Sequence, residues 1–331
     1  MPVVNSKALA EERVAALAEY HRSTGIARAE LDVSGGVDSA VMLALLARAL
    51  GPQNVCGVFI GIHSHVQFLE RARESAAAAG VALVEFDATE LFDKLSADMR
   101  TALLASGRSA TELDARLARD RTVLGSIRSC LRAPIGRGFN RMTGGGVRHG
   151  TGNECEDRFI RFYQKGGDGE VDSNPIAMLS KGEVFQLARE VGVPRSILTA
   201  LPSPDLHGIG EAHNDEDELR EATGVHWTYS KVDPDTGAYT YVGSIERMAR
   251  FLDTHPEVIG EGEPEWGPLV AAAHADLFKH LATQQDVRAL LASARALEAS
   301  TRHKVNPNCP TLGTRQELLD AGLLSDDLPE V

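Results

Sequence analysis

Apolar residues along the chain follow two periods. Over residues 6–21, Leu9, Val14, Leu17 and Tyr20 fall on roughly one face, which predicts an amphipathic helix. Short segments at 29–33, 55–60 and 81–86, apolar apart from Glu30, Asp32 and Glu85, read as strands, with helix-period segments at 37–50 and 66–79 between them. This alternation predicts βαβ units in an α/β fold with a doubly wound parallel sheet. Helical patterns follow at 88–105 and 112–131, joined near Ser106–Ser109, and Gly-rich chain runs from Pro134 to Gly152. Residues 184–191 form a further helix. A hairpin is expected at 227–232 and 238–242, because Asp233-Pro234-Asp235-Thr236-Gly237 supplies turn chemistry between alternating aromatics. The tail is helical from about 268 to 299. With no internal repeat or low-complexity tract, residues 1–331 read as one unit. It comprises an N-terminal helix (1–24), a core (25–220), and a hairpin with a helical extension (221–331).

Composition narrows the partners. A formal charge of −13 argues against nucleic acid or an anionic membrane surface. No stretch approaches transmembrane length and the N-terminus lacks a signal-type apolar region, so the cytoplasm is expected. Cys56, Cys130, Cys155 and Cys309 lack metal or dithiol spacing and read as free thiols in a reducing compartment. Only seven of the 34 basic residues are lysines, so a lysine inside a motif is informative.

The most informative stretch is Ser34-Gly35-Gly36-Val37-Asp38-Ser39, between the first strand and its helix. Paired glycines let the backbone turn tightly and approach a ligand. The following helix N-terminus offers free N–H groups to a pyrophosphate. Ser34 and Ser39 add hydroxyls, and Asp38 is suited to a magnesium ion bridging phosphate oxygens. The bland reading is a Gly-rich turn with a Ser/Asp helix cap.

This loop resembles the signature of the ATP-pyrophosphatase superfamily, whose members split ATP between the α and β phosphates and leave AMP on the substrate. The rest of the chain selects among them. Gly150-Thr151-Gly152-Asn153 with Glu156 resembles the GTGN-x-x-E segment of the NAD synthase family. Lys165 through Asp172 is similar to its KYGDGG-x-D, and Asn174-Pro175 with Leu179-Ser180-Lys181 to its NP and L-x-K. Pro202-Ser203-Pro204-Asp205-Leu206 matches PSADL, Asp215-Glu216-Asp217-Glu218-Leu219 matches DEDEL, and His303-Lys304 with Pro307 resembles the HKR-x-x-P tail.

The resemblance implies a Rossmann-like, adenine-nucleotide alpha hydrolase-like fold and an ammonia-dependent ligase making NAD from deamido-NAD and ATP. It implies Mg2+ on Asp38 and Glu156, and ATP on Ser34, Gly35, Gly36, Val37, Asp38, Ser39, Thr151, Lys181 and Ser203. Asp38 and Lys181 would be catalytic. Arg132, Lys165, Asp172, His303 and Lys304 would hold the dinucleotide. A homodimer is also implied, with the helices after residue 88 in its interface. No segment remains for a glutaminase, so ammonia would come free or from a separate glutaminase.

Four departures from the family pattern stand out. Asp32 replaces the usual glycine two residues before the loop. In Gly125-Ser126-Ile127-Arg128-Ser129-Cys130-Leu131-Arg132, Ser126 replaces an asparagine and Cys130 an arginine that in the family touches deamido-NAD. Arg128 is a candidate substitute. Arg148 and His149 interrupt an expected apolar strand, so either one faces a site or the strand end is frayed. The hairpin is either a surface feature or a lid or partner contact over the substrate pocket. These departures motivate an alternative, a paralogue that adenylates and amidates another carboxylate. A non-catalytic nucleotide-binding descendant is a third reading, which intact Asp38, Glu156 and Lys181 oppose.

Overall fold

The computed structural model describes residues 5–120, 122–203, 214–278, 283–305 and 312–327. Pro204-Asp205-Leu206, Pro307 and Cys309 of the sequence motifs lie outside them. In chain order the elements are α1 (Ser6–Thr24), β1 (Ala29–Asp32), α2 (Val37–Leu50), β2 (Val55–Gly61), α3 (Val66–Ala79), β3 (Leu83–Asp87), α4 (Thr89–Ala105), α5 (Ala110–Arg119) and α6 (Thr122–Met142). Then come β4 (Val147–His149), α7 (Glu154–Asp157), α8 (Lys181–Val191), α9 (Arg195–Leu198) and α10 (Asp215–Thr223). The extension holds β5 (Lys231–Val232), β6 (Tyr239–Tyr241), α11 (Ser244–Thr254), α12 (Trp266–Ala273), α13 (Gln284–Thr301) and α14 (Arg315–Asp320).

The main sheet is parallel throughout, in the order β3-β2-β1-β4. Its inner strands are largely buried; β2 reads as a near-continuous apolar run, whereas β1 carries the buried Glu30. Leu31 and Val33 pack with Leu43 and Leu46 of α2, Leu187 of α8 and Leu17 of α1. On the other face Val58, Ile60 and Ile62 meet Phe92 of α4 and Ile127, Leu131 and Ile135 of α6. A further apolar cluster joins Phe159 and Trp227 to Met248 and Phe251 of α11 and Leu291 of α13. The expected fold, doubly wound α/β, is what the chain adopts. Successive strands step outward from β1 to β3, and then β4 returns to the other side of β1. A crevice opens at the carboxyl ends of strands where the winding reverses, so the loops after β1 and β4 face the same space.

Two local expectations need correcting. The helix expected over 112–131 is two: α5 ends at Arg119, and α6 opens at Thr122 and runs on to Met142, straight through Pro134. Proline leaves the Cys130 carbonyl without its helical donor and disfavours helix at the preceding residue. Burial of Ser129, Ala133, Gly136 and Asn140 on one face prevails over that local penalty. The second correction concerns β4, which is neither frayed nor turned toward the site: Val147, Arg148 and His149 are all buried. Arg148 pairs with Glu30, and its Nη2 lies 2.6 Å from Asp32 Oδ2. His149 Nε2 lies 2.9 Å from His21 Nε2 of α1, and its Nδ1 lies 2.7 Å from Ser173 Oγ.

Candidate active site

The loop after β1 is shaped by what it must avoid. Gly35 has φ +83°, and a Cβ there would stand 2.3 Å from the Phe68 carbonyl oxygen, so only glycine fits. Ser34 Oγ lies 3.0 Å from Ser39 Oγ and accepts the Gly36 N–H at 3.3 Å, which closes the turn on itself. Gly36, the residue before α2, carries no capping side chain, and the first intrahelical bond recorded there is Ala40 N–H to Gly36 O. The N–H groups of the first turn therefore point outward, ready for an anion.

Across the crevice, the loop after β4 brings Thr151, Asn153 and Glu156, and α8 brings Lys181 from its first position. Lys181 Nζ donates to Asp38 Oδ2 at 2.7 Å and to Glu156 Oε1 at 2.6 Å. Asn153, which caps α7, also donates from Nδ2 to Asp38 Oδ1 at 2.9 Å. Two carboxylates separated by more than a hundred positions thus share one cation. Burial lowers the lysine's proton affinity, but Asp38 and Glu156 more than offset it and keep Lys181 ionised. Burial first, then opposed by Lys181, leaves the Glu156 carboxyl raised.

Sequence reasoning assigned no role to two neighbours. Asp215, the first residue of α10, is buried, and its Oδ1 has no hydrogen-bond partner. Burial, then repulsion from Glu156, pushes its pKa up to about 8. The Tyr229 ring centre stands 5.5 Å from Lys181 Nζ, within cation–π range. Asp215 lies within the DEDEL-like motif, and Tyr229 within the first expected strand of the hairpin. Neither signal carries a distance.

These groups open into a cavity of about 470 Å³. Of the expected ATP ligands, Ser34, Gly36, Val37, Asp38, Thr151, Lys181 and Ser203 line it; Gly35 and Ser39 shape the turn behind it. Of the expected substrate ligands, Arg132 and Lys304 line it, while Lys165, Asp172 and His303 do not. Asp172 is engaged elsewhere, by Arg137 at 3.1 Å and by the Arg148 N–H at 2.8 Å. Lys165 is exposed and donates to the His303 carbonyl at 3.3 Å. Lys304 Nζ donates to the Tyr163 carbonyl at 2.6 Å. Ser126 and Asp32 line the cavity as well, but Cys130 faces the Lys165 carbonyl. Arg128 does not replace the missing arginine. Its guanidinium is buried 5.2 Å from the Phe92 ring centre, because the two positions from Arg128 to Cys130 rotate a helix by ~200°.

Among the described residues, no group of three or more His, Cys, Asp or Glu is set to hold a metal ion by itself. Magnesium asks less of the protein: one or two carboxylates, with phosphate and water oxygens completing the shell. Asp38 and Glu156 converge on a cation already, and the partnerless Asp215 Oδ1 adds a buried hard oxygen nearby. The donor set fits that ion when it arrives with a nucleotide.

Similarity to known proteins agrees with this geometry. The "NH(3)-dependent NAD(+) synthetase" of Methanococcoides burtonii is 33% identical over 211 residues, covering 63% of this chain and 71% of the relative. An NMN synthetase from Francisella tularensis has the same fold, with a TM-score of 0.63 at 18% identity, covering 92% of this chain and 99% of that one. An NH3-dependent NAD synthetase from Campylobacter jejuni has a TM-score of 0.56 at 17% identity, covering 91% and 98%. Residues 9–234, which include the loop, the two carboxylates and the lysine, match the model of the NAD synthase family, and the chain belongs to that family.

Proposed function

We propose that the protein is a carbon–nitrogen ligase that converts deamido-NAD, ATP and ammonia to NAD, AMP and pyrophosphate. The observation that carries this reading is the meeting of Asp38, Glu156 and Lys181 at one point beside the phosphate loop. A free carboxylate is a poor electrophile, so its oxygen first attacks the α-phosphorus of ATP and pyrophosphate leaves. Ammonia then attacks the acyl carbon and AMP departs. The N–H groups opening α2 bind the phosphates, and Asp38 and Glu156 would hold Mg2+, which supplies positive charge to the departing pyrophosphate. Lys181, kept ionised by its two carboxylates, would add its charge to the phosphate oxygens when Asp38 and Glu156 hold the metal. Water is kept from the adenylate by the apolar cavity wall of Phe68, Phe162 and Phe185.

The chain works as one unit, on this reading, in a homodimer. Leu91, Met99 and Leu103 of α4 and Met142 at the end of α6 expose large apolar side chains. Among the described residues no helix is long and apolar enough to cross a membrane, and Cys56, Cys130 and Cys155 are free thiols, which supports the cytoplasm.

The test is AMP release by purified protein with ATP, Mg2+ and ammonium, with and without deamido-NAD, and with nicotinate mononucleotide in parallel. Strong stimulation by deamido-NAD is expected. If only the mononucleotide or another carboxylate stimulates, the amide-forming chemistry stands and the dinucleotide assignment falls.

A further inference from the structure

The hairpin and α11 reach the turn that carries Lys181. Ser180 caps α8: its Oγ accepts the Glu183 N–H, and the Glu183 side chain accepts the Ser180 N–H at 2.8 Å. The Ser180 hydroxyl itself donates to Glu246 Oε1 of α11 at 2.9 Å. Tyr239 of β6 donates to the same oxygen at 3.1 Å, and the Ser230 hydroxyl donates to Oε2. Three hydroxyls from three elements thus converge on a carboxylate that is 4% exposed. The contact is tight: a Cβ on Gly182, next to Lys181, would stand 2.3 Å from the Tyr239 hydroxyl. The match to the family model ends at residue 234, so Glu246 comes from beyond the matched segment.

A buried carboxylate is costly, and hydroxyl donors that satisfy it hold their elements in place. Glu246 could therefore be merely a fastener for the extension. Its bond to Ser180 says more, because Ser180 caps the helix whose first residue is Lys181 and so fixes the backbone from which that side chain departs. We propose that Glu246 is a positioning residue for Lys181, fixing through Ser180 the turn that aims the ammonium at Asp38, Glu156 and the phosphates. The reference to phosphates rests on the function proposed above; the aim at the two carboxylates does not.

Two variants break the link from opposite ends. Glu246→Leu keeps the bulk but accepts from none of the three hydroxyls. Ser180→Gly removes the hydroxyl yet still suits a helix N-cap. Each is expected to lower kcat about 10- to 100-fold, the scale of a misplacement near 1 Å, with KM for ATP nearly unchanged. Neither is expected to lower kcat further in a Lys181→Met background. Tyr239→Phe, which spares the Ser180 bond, is expected to stay within about twofold of the parent. Independently of substrate, acetic anhydride labelling read by mass spectrometry should modify Lys181 faster in both variants than in the parent protein. Full kcat, or an equal loss on top of Lys181→Met, overturns the proposal. Unchanged labelling overturns it even if deamido-NAD proves not to be the substrate, so the two failures are distinct.

Discussion

Arg148 Nη2 stands 2.6 Å from Asp32 Oδ2, and the same guanidinium pairs with Glu30. Two departures from the family pattern are therefore one structural unit. The acid before the phosphate loop and the base interrupting the apolar β4 neutralise each other beneath the cavity. Arg148→Leu leaves the buried Glu30 and the half-buried Asp32 without their cation, at a cost of about 3–5 kcal/mol. Replacing all three together (Glu30→Leu, Asp32→Gly, Arg148→Leu) should restore most of that stability. Urea unfolding of the single and triple variants measures both, and a neutral single variant refutes the pairing.

Glu30 predicts a pH dependence of stability. Burial, partly opposed by Arg148, raises its pKa from 4.5 to about 7. The folded state then holds the proton more tightly than the unfolded chain. Its contribution is fully present below pH 4.5 and disappears as the pH rises through 7. Relative to Glu30→Gln, the parent protein should lose melting temperature between pH 5 and 8, and a constant difference across that window would count against it.

Lys181 pairs with the same two carboxylates that would hold Mg2+. Lys181→Met should reduce AMP formation about 100- to 1000-fold, the loss expected when a charge on the departing group is removed. It should also tighten Mg2+ binding, since an ammonium no longer competes for Asp38 and Glu156. Calorimetry with Mg2+ and a non-hydrolysable ATP analogue checks the second point. A variant retaining a tenth of the parent rate removes Lys181 from the chemistry.

Asp215 tunes the same centre. With its pKa pushed up to about 8, it is mostly protonated at neutral pH and gains a negative charge as the pH rises. Binding of Mg2+ with the ATP analogue should strengthen from pH 7 to pH 9, and Asp215→Asn should flatten that rise. Equal slopes in the two proteins would show that another group titrates.

The apolar face of α4 makes the last prediction. The protein should sediment at twice the mass of its 331 residues, and Leu103→Glu with Met99→Glu should shift it toward the monomer. Sedimentation of the parent as a monomer at micromolar concentration rules the dimer out.

The sequence by itself determined the layers of the fold and the residues of the phosphate loop, because hydrophobic period and glycine placement are local properties of a chain. The bounds of α2 and α3 were legible from period and turn residues alone. It also named Asp38, Glu156 and Lys181, but as separate positions in ordered motifs. Only the tertiary structure decided that one ammonium holds both carboxylates, that Arg148 serves Asp32 and Glu30 rather than a ligand, and that Glu246 reaches Ser180. Ion pairing depends on distance through space, and residues 116 or 143 positions apart acquire a distance only when strands and helices pack. Helix α6 makes the same point in reverse: a local rule ended it near Pro134, and burial against the sheet carried it on to Met142.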